Sequence, residues 1–235
     1  MATLTLAEDR IADLITGNKI LFHHGIVDAF GHISVRHDAD PSKYVMSRHL
    51  APGLVTRDDL LTYDLDSVPV EETTYRLYSE RFIHGEIYKR RPDVQSVVHC
   101  HAPALIPFGI TKAKLLPVYH MSAFLRTGPG VFEIRETGGV TDMLIRTAPL
   151  GAALAEKLGD DQMVLMRGHG ATMVGKTIKS AVYRAMYATQ NAQIELEALR
   201  LGDVNFLTPE EADKYETYAG EVMNRPWAMW EREVS

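Results

Sequence analysis

Apolar positions along the chain follow two periods. Ile11, Leu14, Ile15, Leu21 and Phe22 recur close to every 3.6 residues, which predicts a helix over 7–25 with Gly25 as its stop. The pattern then shortens. Phe30-Gly31-His32-Ile33-Ser34-Val35-Arg36 reads as a turn into a strand, and 44–47, after an Asp40-Pro41 turn, as its partner. A third strand covers 60–65, while 48–53 and 69–75 read as loops. The helical period returns over 79–90, with Ser79 the expected N-cap and Phe82, Ile83 and Ile87 the apolar face. A short strand over 94–98 runs into His99-Cys100-His101, then a short helix over 103–109 and an extended or strand segment over 115–120. Beyond the Gly128-Pro129-Gly130 and Gly138-Gly139 loops, a helix over 149–158 has proline in its first turn. An apolar strand (163–166), a tight loop (167–170) and a strand (171–175) follow. Helices are expected over 177–201 and 209–218, and 224–235 is a tail carrying Trp227 and Trp230. Strands and helices mix without strict βαβ spacing. The expected architecture is a single α/β domain over 1–235, a central, mainly antiparallel sheet covered by helices.

The chemistry gathers on histidine. Side chains i and i+2 of a strand share a face, so His99 and His101 present two imidazoles to one point. By itself such a pair suits a hydrogen-bonded couple as well as a metal. His169, alone between Gly168 and Gly170, reads as a plain turn as readily as a ligand. Together they offer three neutral nitrogen donors of a softness suited to zinc, manganese or iron, and the metal reading becomes the favoured one. Glu80, at the expected start of the helix leading into the His-x-His strand, either completes that shell, acts as a base, or only complements the helix dipole. His84, one turn later, either orients Glu80 or packs. His23, His24 and His37 read as surface or helix-end groups, and Cys100 as a small buried side chain facing away from the metal.

Composition narrows the classes. The 235 residues carry a net charge of −6, so no basic field favours nucleic acid. No apolar run approaches the ~20 residues of a membrane span. The first ten residues lack the basic and apolar regions of a leader peptide, and a lone cysteine fits a reducing, cytoplasmic setting. Ten histidines are many for this length, and they supply the candidate site.

Ser79-Glu80, then His84 and Tyr88, then Val97-Val98-His99-Cys100-His101, then Arg167-Gly168-His169-Gly170 resemble, in order, the motifs of the class II aldolase/adducin family. Gly31-His32-Ile33-Ser34-Val35-Arg36 and Thr56-Arg57-Asp58-Asp59-Leu60 resemble its earlier signatures. The resemblance implies a three-layer α/β/α fold and a homotetramer with active sites at subunit interfaces. It also implies a divalent metal, Mn²⁺ or Zn²⁺, held by His99, His101 and His169, and a catalytic carboxylate at Glu80. Sugar-phosphate aldolases of the family carry Gly-Asn-x-Ser and Ser-Ser-Glu where this chain has Gly31-His32-Ile33-Ser34 and Tyr78-Ser79-Glu80. Their small-residue phosphate loop corresponds roughly to Ser47-Arg48-His49-Leu50. A phosphate nest tolerates bulk badly. The resemblance therefore turns to the family's decarboxylase branch, acting on hydroxy-aromatic dicarboxylates such as 3-hydroxy-2-methylpyridine-4,5-dicarboxylate or dihydroxyphthalate. On that reading Glu80 shuttles a proton with His120 as its partner, Arg48 and His32 bind the second carboxylate, and Ser34 and Ser79 add substrate contacts. Two other readings stay open: an aldolase or epimerase acting on a sugar phosphate, and a non-catalytic adducin-like binding module.

Overall fold

The computed structural model describes residues 5–235; the first four residues, part of the stretch read as lacking a leader, lie outside them. The chain begins with α1 (Glu8–His23), whose expected Ile11, Leu14 and Leu21 are buried together with Ile20, while Phe22, also expected on that face, is half exposed. Gly25, at φ +67°, ends that turn. Three antiparallel strands follow, β1 (His32–Arg36), β2 (Lys43–Ser47) and β3 (Leu60–Asp64). Then come α2 (Phe82–Arg90), β4 (Ser96–Cys100) and α3 (Ile106–Ile110). The second half holds β5 (Gly130–Phe132), α4 (Ile134–Gly138), α5 (Ala148–Leu158), β6 (Met163–Met166) and β7 (Gly170–Gly175). It closes with α6 (Ile178–Leu201), α7 (Pro209–Val222) and α8 (Asn224–Glu233).

The strands form one seven-stranded sheet in the order β3-β2-β1-β4-β7-β6-β5, antiparallel throughout except for the β5–β6 pair. Alternation along the strands divides the core. Ile33, Val35, Val98, Cys100, Leu165, Ala171 and Met173 face α1, α6 and α8. Tyr44, Met46, Val97, Val164, Met166 and Val174 face α2 and α5. This is the three-layer α/β/α arrangement. His32, Ser34 and His99 lie on the α2 side, where every other residue of β1 and β4 points. Among the described residues no helix is long and apolar enough to cross a membrane.

Four local expectations are corrected. The helix expected over 79–90 begins at Phe82, and Ser79 does not cap it. Residues 79–81 form a turn in which the Glu80 carbonyl accepts from the Ile83 N–H, so Glu80 precedes the helix. The segment expected to be extended or a strand over 115–120 joins no strand: residues 118–119 bend and His120 opens a short 3-10 helix, His120–Leu125. The N–H groups of Leu116 and Val118 donate to Glu195 and Asn191 of α6 at 3.1 and 2.9 Å, so helix side chains replace a neighbouring strand. Burial pushes the Glu195 carboxyl up to about 7. The tail is the helix α8, and both of its tryptophans are buried against the same chain. Trp230 lies 6.0 Å from the Tyr187 ring of α6, and the Lys179 ammonium sits 5.2 Å from the Trp227 ring. His37 is likewise buried, bonded to Thr5 Oγ1 at 2.8 Å.

Gly170 opens β7 directly against β4. A Cβ there would collide with the Cys100 carbonyl oxygen and the Cα of His101, both backbone atoms that cannot turn aside. Gly170→Ala is expected to cost about 2 kcal/mol or more in urea unfolding; an unchanged midpoint would show that β4 and β7 can separate freely here.

Candidate metal centre

The register of the sheet places His99 of β4 opposite His32 of β1 on one side and Thr172 of β7 on the other. His101 lies just past the end of β4. His169 sits in the turn between β6 and β7, where Gly168 takes φ +61° and the His169 N–H donates to the Met166 carbonyl at 3.1 Å. These supports bring together rings that are 68 positions apart in the chain: His101 Nε2 is 3.0 Å from His99 Nε2 and 3.0 Å from His169 Nε2. Glu80 enters from the turn before α2. Its Oε2 is 3.7 Å from His99 Nε2 and 3.5 Å from His169 Nε2, while its Oε1 accepts from the Ile145 N–H at 2.9 Å. The four ligand atoms lie within 4.8 Å of one another.

The donor set fits a divalent cation on proton accounting. His99 Nδ1 faces the Ala171 carbonyl at 3.1 Å, so its proton sits there and Nε2 offers a lone pair to the cluster. One N–H on His101 can point at only one of its two neighbours, leaving the other contact as two lone pairs 3.0 Å apart. A cation between them removes the conflict, and the spacing suits nitrogen ligands at about 2.1 Å from zinc. Burial pushes the His99 and His101 imidazoles below their ordinary range, which keeps them in the neutral form a metal requires. His169 Nδ1 is buried with no hydrogen-bond partner among the described residues, so its outer nitrogen is not anchored as that of His99 is.

The other expected site residues divide. His32 borders the centre, with its ring 5.0 Å from that of His99 and 4.7 Å from that of Tyr78. Ser79 is half-buried in the turn directly before Glu80. Ser34 is corrected: it is fully buried behind His32, with Oγ 2.6 Å from His84 Nδ1 and 2.7 Å from the Tyr88 hydroxyl, and it has no route to a substrate. Arg48 is not gathered into the cluster. Its Nε pairs with Asp59 at 2.7 Å and its guanidinium lies 5.0 Å from the Tyr75 ring. His120 is exposed and packs 5.0 Å from the Tyr215 ring of α7, so within one chain it does not partner Glu80.

His84 and Tyr88 were the residues whose part the sequence left obscure. His84 does not orient Glu80; its two nitrogens bond His32 and Ser34. A signal existed. His32 and Ser34 share one face of a strand, and His84 and Tyr88, four apart, share one face of a helix packed on it.

An α/β/α sheet carrying three imidazoles and a carboxylate at the end of its central strands defines the class II aldolase type of protein. Residues 12–196 match the family described as Class II Aldolase and Adducin N-terminal domain, and the chain belongs to that family. Decarboxylase tropJ of Talaromyces stipitatus is 39% identical, over 95% of this chain and 93% of that protein. The 3,4-dihydroxyphthalate decarboxylase of Arthrobacter keyseri is 28% identical over 78% of this chain and 76% of its own. Among solved structures, L-fuculose 1-phosphate aldolase from Glaciozyma antarctica PI12 superposes with a TM-score of 0.78 at 20% identity, covering 100% of this chain and 93% of that one. The last likeness concerns the fold alone.

His84 also carries a pH consequence. Burial holds its pKa down at about 3, against 6.5 for a free imidazole. Between those values the unfolded chain binds a proton that the folded chain refuses, so stability falls as pH falls below about 6.5, by up to ~1.4 kcal/mol per pH unit. His32 and His99 are displaced in the same direction. Urea midpoints measured in chelator are expected to be level above neutrality and to drop steadily from pH 6.5 toward 5. A flat profile across that interval would contradict the buried neutral imidazoles.

Proposed function

We propose that this chain is a metal-dependent decarboxylase, a single family domain spanning residues 1–235, removing a carboxylate ortho to a ring hydroxyl from a hydroxy-aromatic dicarboxylate. The observation that carries the reading is the convergence of buried His99 and Glu80 with half-buried His101 and His169 in a chain 39% identical to a decarboxylase. The three histidines would hold the ion, Mn²⁺ or Zn²⁺, which when bound would supply Lewis acidity to an oxygen conjugated with the breaking carbon–carbon bond.

The remaining work falls to the chain's own side chains. Glu80 is held by one oxygen on the Ile145 N–H, which leaves Oε2 to carry the proton. The reaction exchanges that proton for carbon dioxide: the ring carbon gains hydrogen as the bond to the carboxyl carbon breaks, and the aromatic ring is restored. His32 borders the centre and meets the second carboxylate, and Ser79, half-buried in the turn before Glu80, adds a substrate contact. Arg48 keeps its terminal nitrogens unbonded among the described residues, and they suit a carboxylate once a substrate or neighbouring subunit draws the loop in. His120, exposed and remote from Glu80 in its own chain, serves the site of an adjacent subunit in a homotetramer. The setting is cytoplasmic. Two features weigh against a sugar phosphate: Ser34 is sealed behind His32, and Tyr78 stands beside that ring, so small groups do not line the place of a phosphate nest. The retained ligand set weighs against a module that binds without chemistry.

The test is carbon dioxide release from 3,4-dihydroxyphthalate and from 3-hydroxy-2-methylpyridine-4,5-dicarboxylate, with Mn²⁺, Zn²⁺ or chelator. Release that needs the ion supports the reading; cleavage of ketose 1-phosphates without decarboxylation would replace it with the aldolase. Glu80→Gln is expected to keep the ion while turnover falls about 10²–10⁴-fold. Near-normal turnover in that variant would remove Glu80 from the mechanism.

A further inference from the structure

The buried polar groups behind His32 have no part in the steps above. The Tyr88 hydroxyl is 2.7 Å from Ser34 Oγ, Ser34 Oγ is 2.6 Å from His84 Nδ1, and His84 Nε2 is 2.6 Å from His32 Nδ1. All four residues are buried. The inner end sets the direction of the chain. The Tyr88 hydroxyl meets Ser34 Oγ and the Val97 backbone N–H, and the N–H can only donate, so Ser34 Oγ is the acceptor open to the hydroxyl proton among the described residues. A buried hydroxyl proton without an acceptor is costly, so Tyr88 donates to Ser34. Ser34 then gives its own proton to His84 Nδ1. A neutral His84 carries its proton on Nε2 and donates it to His32 Nδ1. A neutral His32 is left with its proton on Nε2.

We infer that Tyr88, Ser34 and His84 are positioning residues that lock His32 as an Nε2-protonated imidazole, a fixed hydrogen-bond donor beside the metal centre for an anionic oxygen of the substrate. The role toward substrate rests on the decarboxylase reading; the tautomer does not. His32 is a donor and not an acid in this arrangement. Surrendering the Nε2 proton would require three protons to move outward along the chain and would leave the charge on Tyr88, a buried phenol. The arrangement also selects. A carboxylate or phenolate oxygen finds a donor at His32, whereas a group that can only donate finds no acceptor.

The direct test is ring ¹⁵N NMR of histidine-labelled protein with Zn²⁺ added, His32 being assigned by its loss in His32→Gln. The expected spectrum has His32 Nε2 protonated and Nδ1 bare. A bare Nε2, or a doubly protonated ring, overturns the inference. A kinetic cycle supplies the second readout. Tyr88→Phe frees the Ser34 hydroxyl to turn and lets both tautomers coexist, so KM for 3,4-dihydroxyphthalate is expected to rise about threefold or more with a smaller change in kcat. That rise should vanish in the His32→Gln background, whose amide brings its own N–H. An equal effect in both backgrounds would reduce Tyr88 to a packing role and overturn the inference. If no dicarboxylate is decarboxylated, the ¹⁵N spectrum still decides the tautomer, so the two ideas fail separately.

Discussion

The site depends on one constraint, the pairing register of β4 with its two neighbours. With His99 opposite His32 and Thr172, an imidazole from the middle of the chain stands between a strand from the start and one from the second half. A slip of one residue would turn His99 to the α6 side and bring Cys100 into the site. The close approach of Gly170 to the Cys100 carbonyl pins the register where it matters, next to His169. Precision at the centre is thus inherited from backbone hydrogen bonds in the sheet, and His101 and Glu80, on turns, are aimed by that frame.

Around this frame the protein buries imidazoles in their neutral state. Desolvation opposes the charged form of His32, His84, His99 and His101 alike. Neutral rings must settle which nitrogen bears the proton, and the surroundings settle it. The Ala171 carbonyl fixes His99, and the Tyr88–Ser34–His84 chain fixes His32. The low-dielectric setting strengthens each of those hydrogen bonds and makes any unpaired group expensive. The proposed chemistry uses the same property, since charge developing on an oxygen is best stabilised where water does not compete.

Much of this was legible in the chain. The 3.6-residue period of α1, the alternation of β1 and β2, the proline at the start of α5 and the Gly-His-Gly turn each followed from local rules. The convergence of His99, His101, His169 and Glu80 was expected from residue type and motif order, and the structure brings them together. The misses are tertiary. Leu116 and Val118 found partners in Glu195 and Asn191 of α6, which no strand pattern encodes. Trp227 and Trp230 sit in a helix rich in charge, and their burial against α1 and α6 appears only once those helices are in place. Ser34 was expected as a substrate contact from its place in the Gly31-His32-Ile33-Ser34 motif. Its actual partners, His84 and Tyr88, lie on another element more than 50 positions along the chain, and only the packing of α2 on β1 joins them. His120 and Arg48 were assigned from motif position, and within the chain neither joins the cluster: His120 packs on Tyr215 and Arg48 pairs with Asp59.

The most direct measurement is anomalous diffraction from crystals grown with Mn²⁺ or Zn²⁺. The account predicts one peak about 2.0–2.2 Å from Nε2 of each of His99, His101 and His169. A peak elsewhere on the protein, or the three rings turned away from one another with no ion between them, would contradict it.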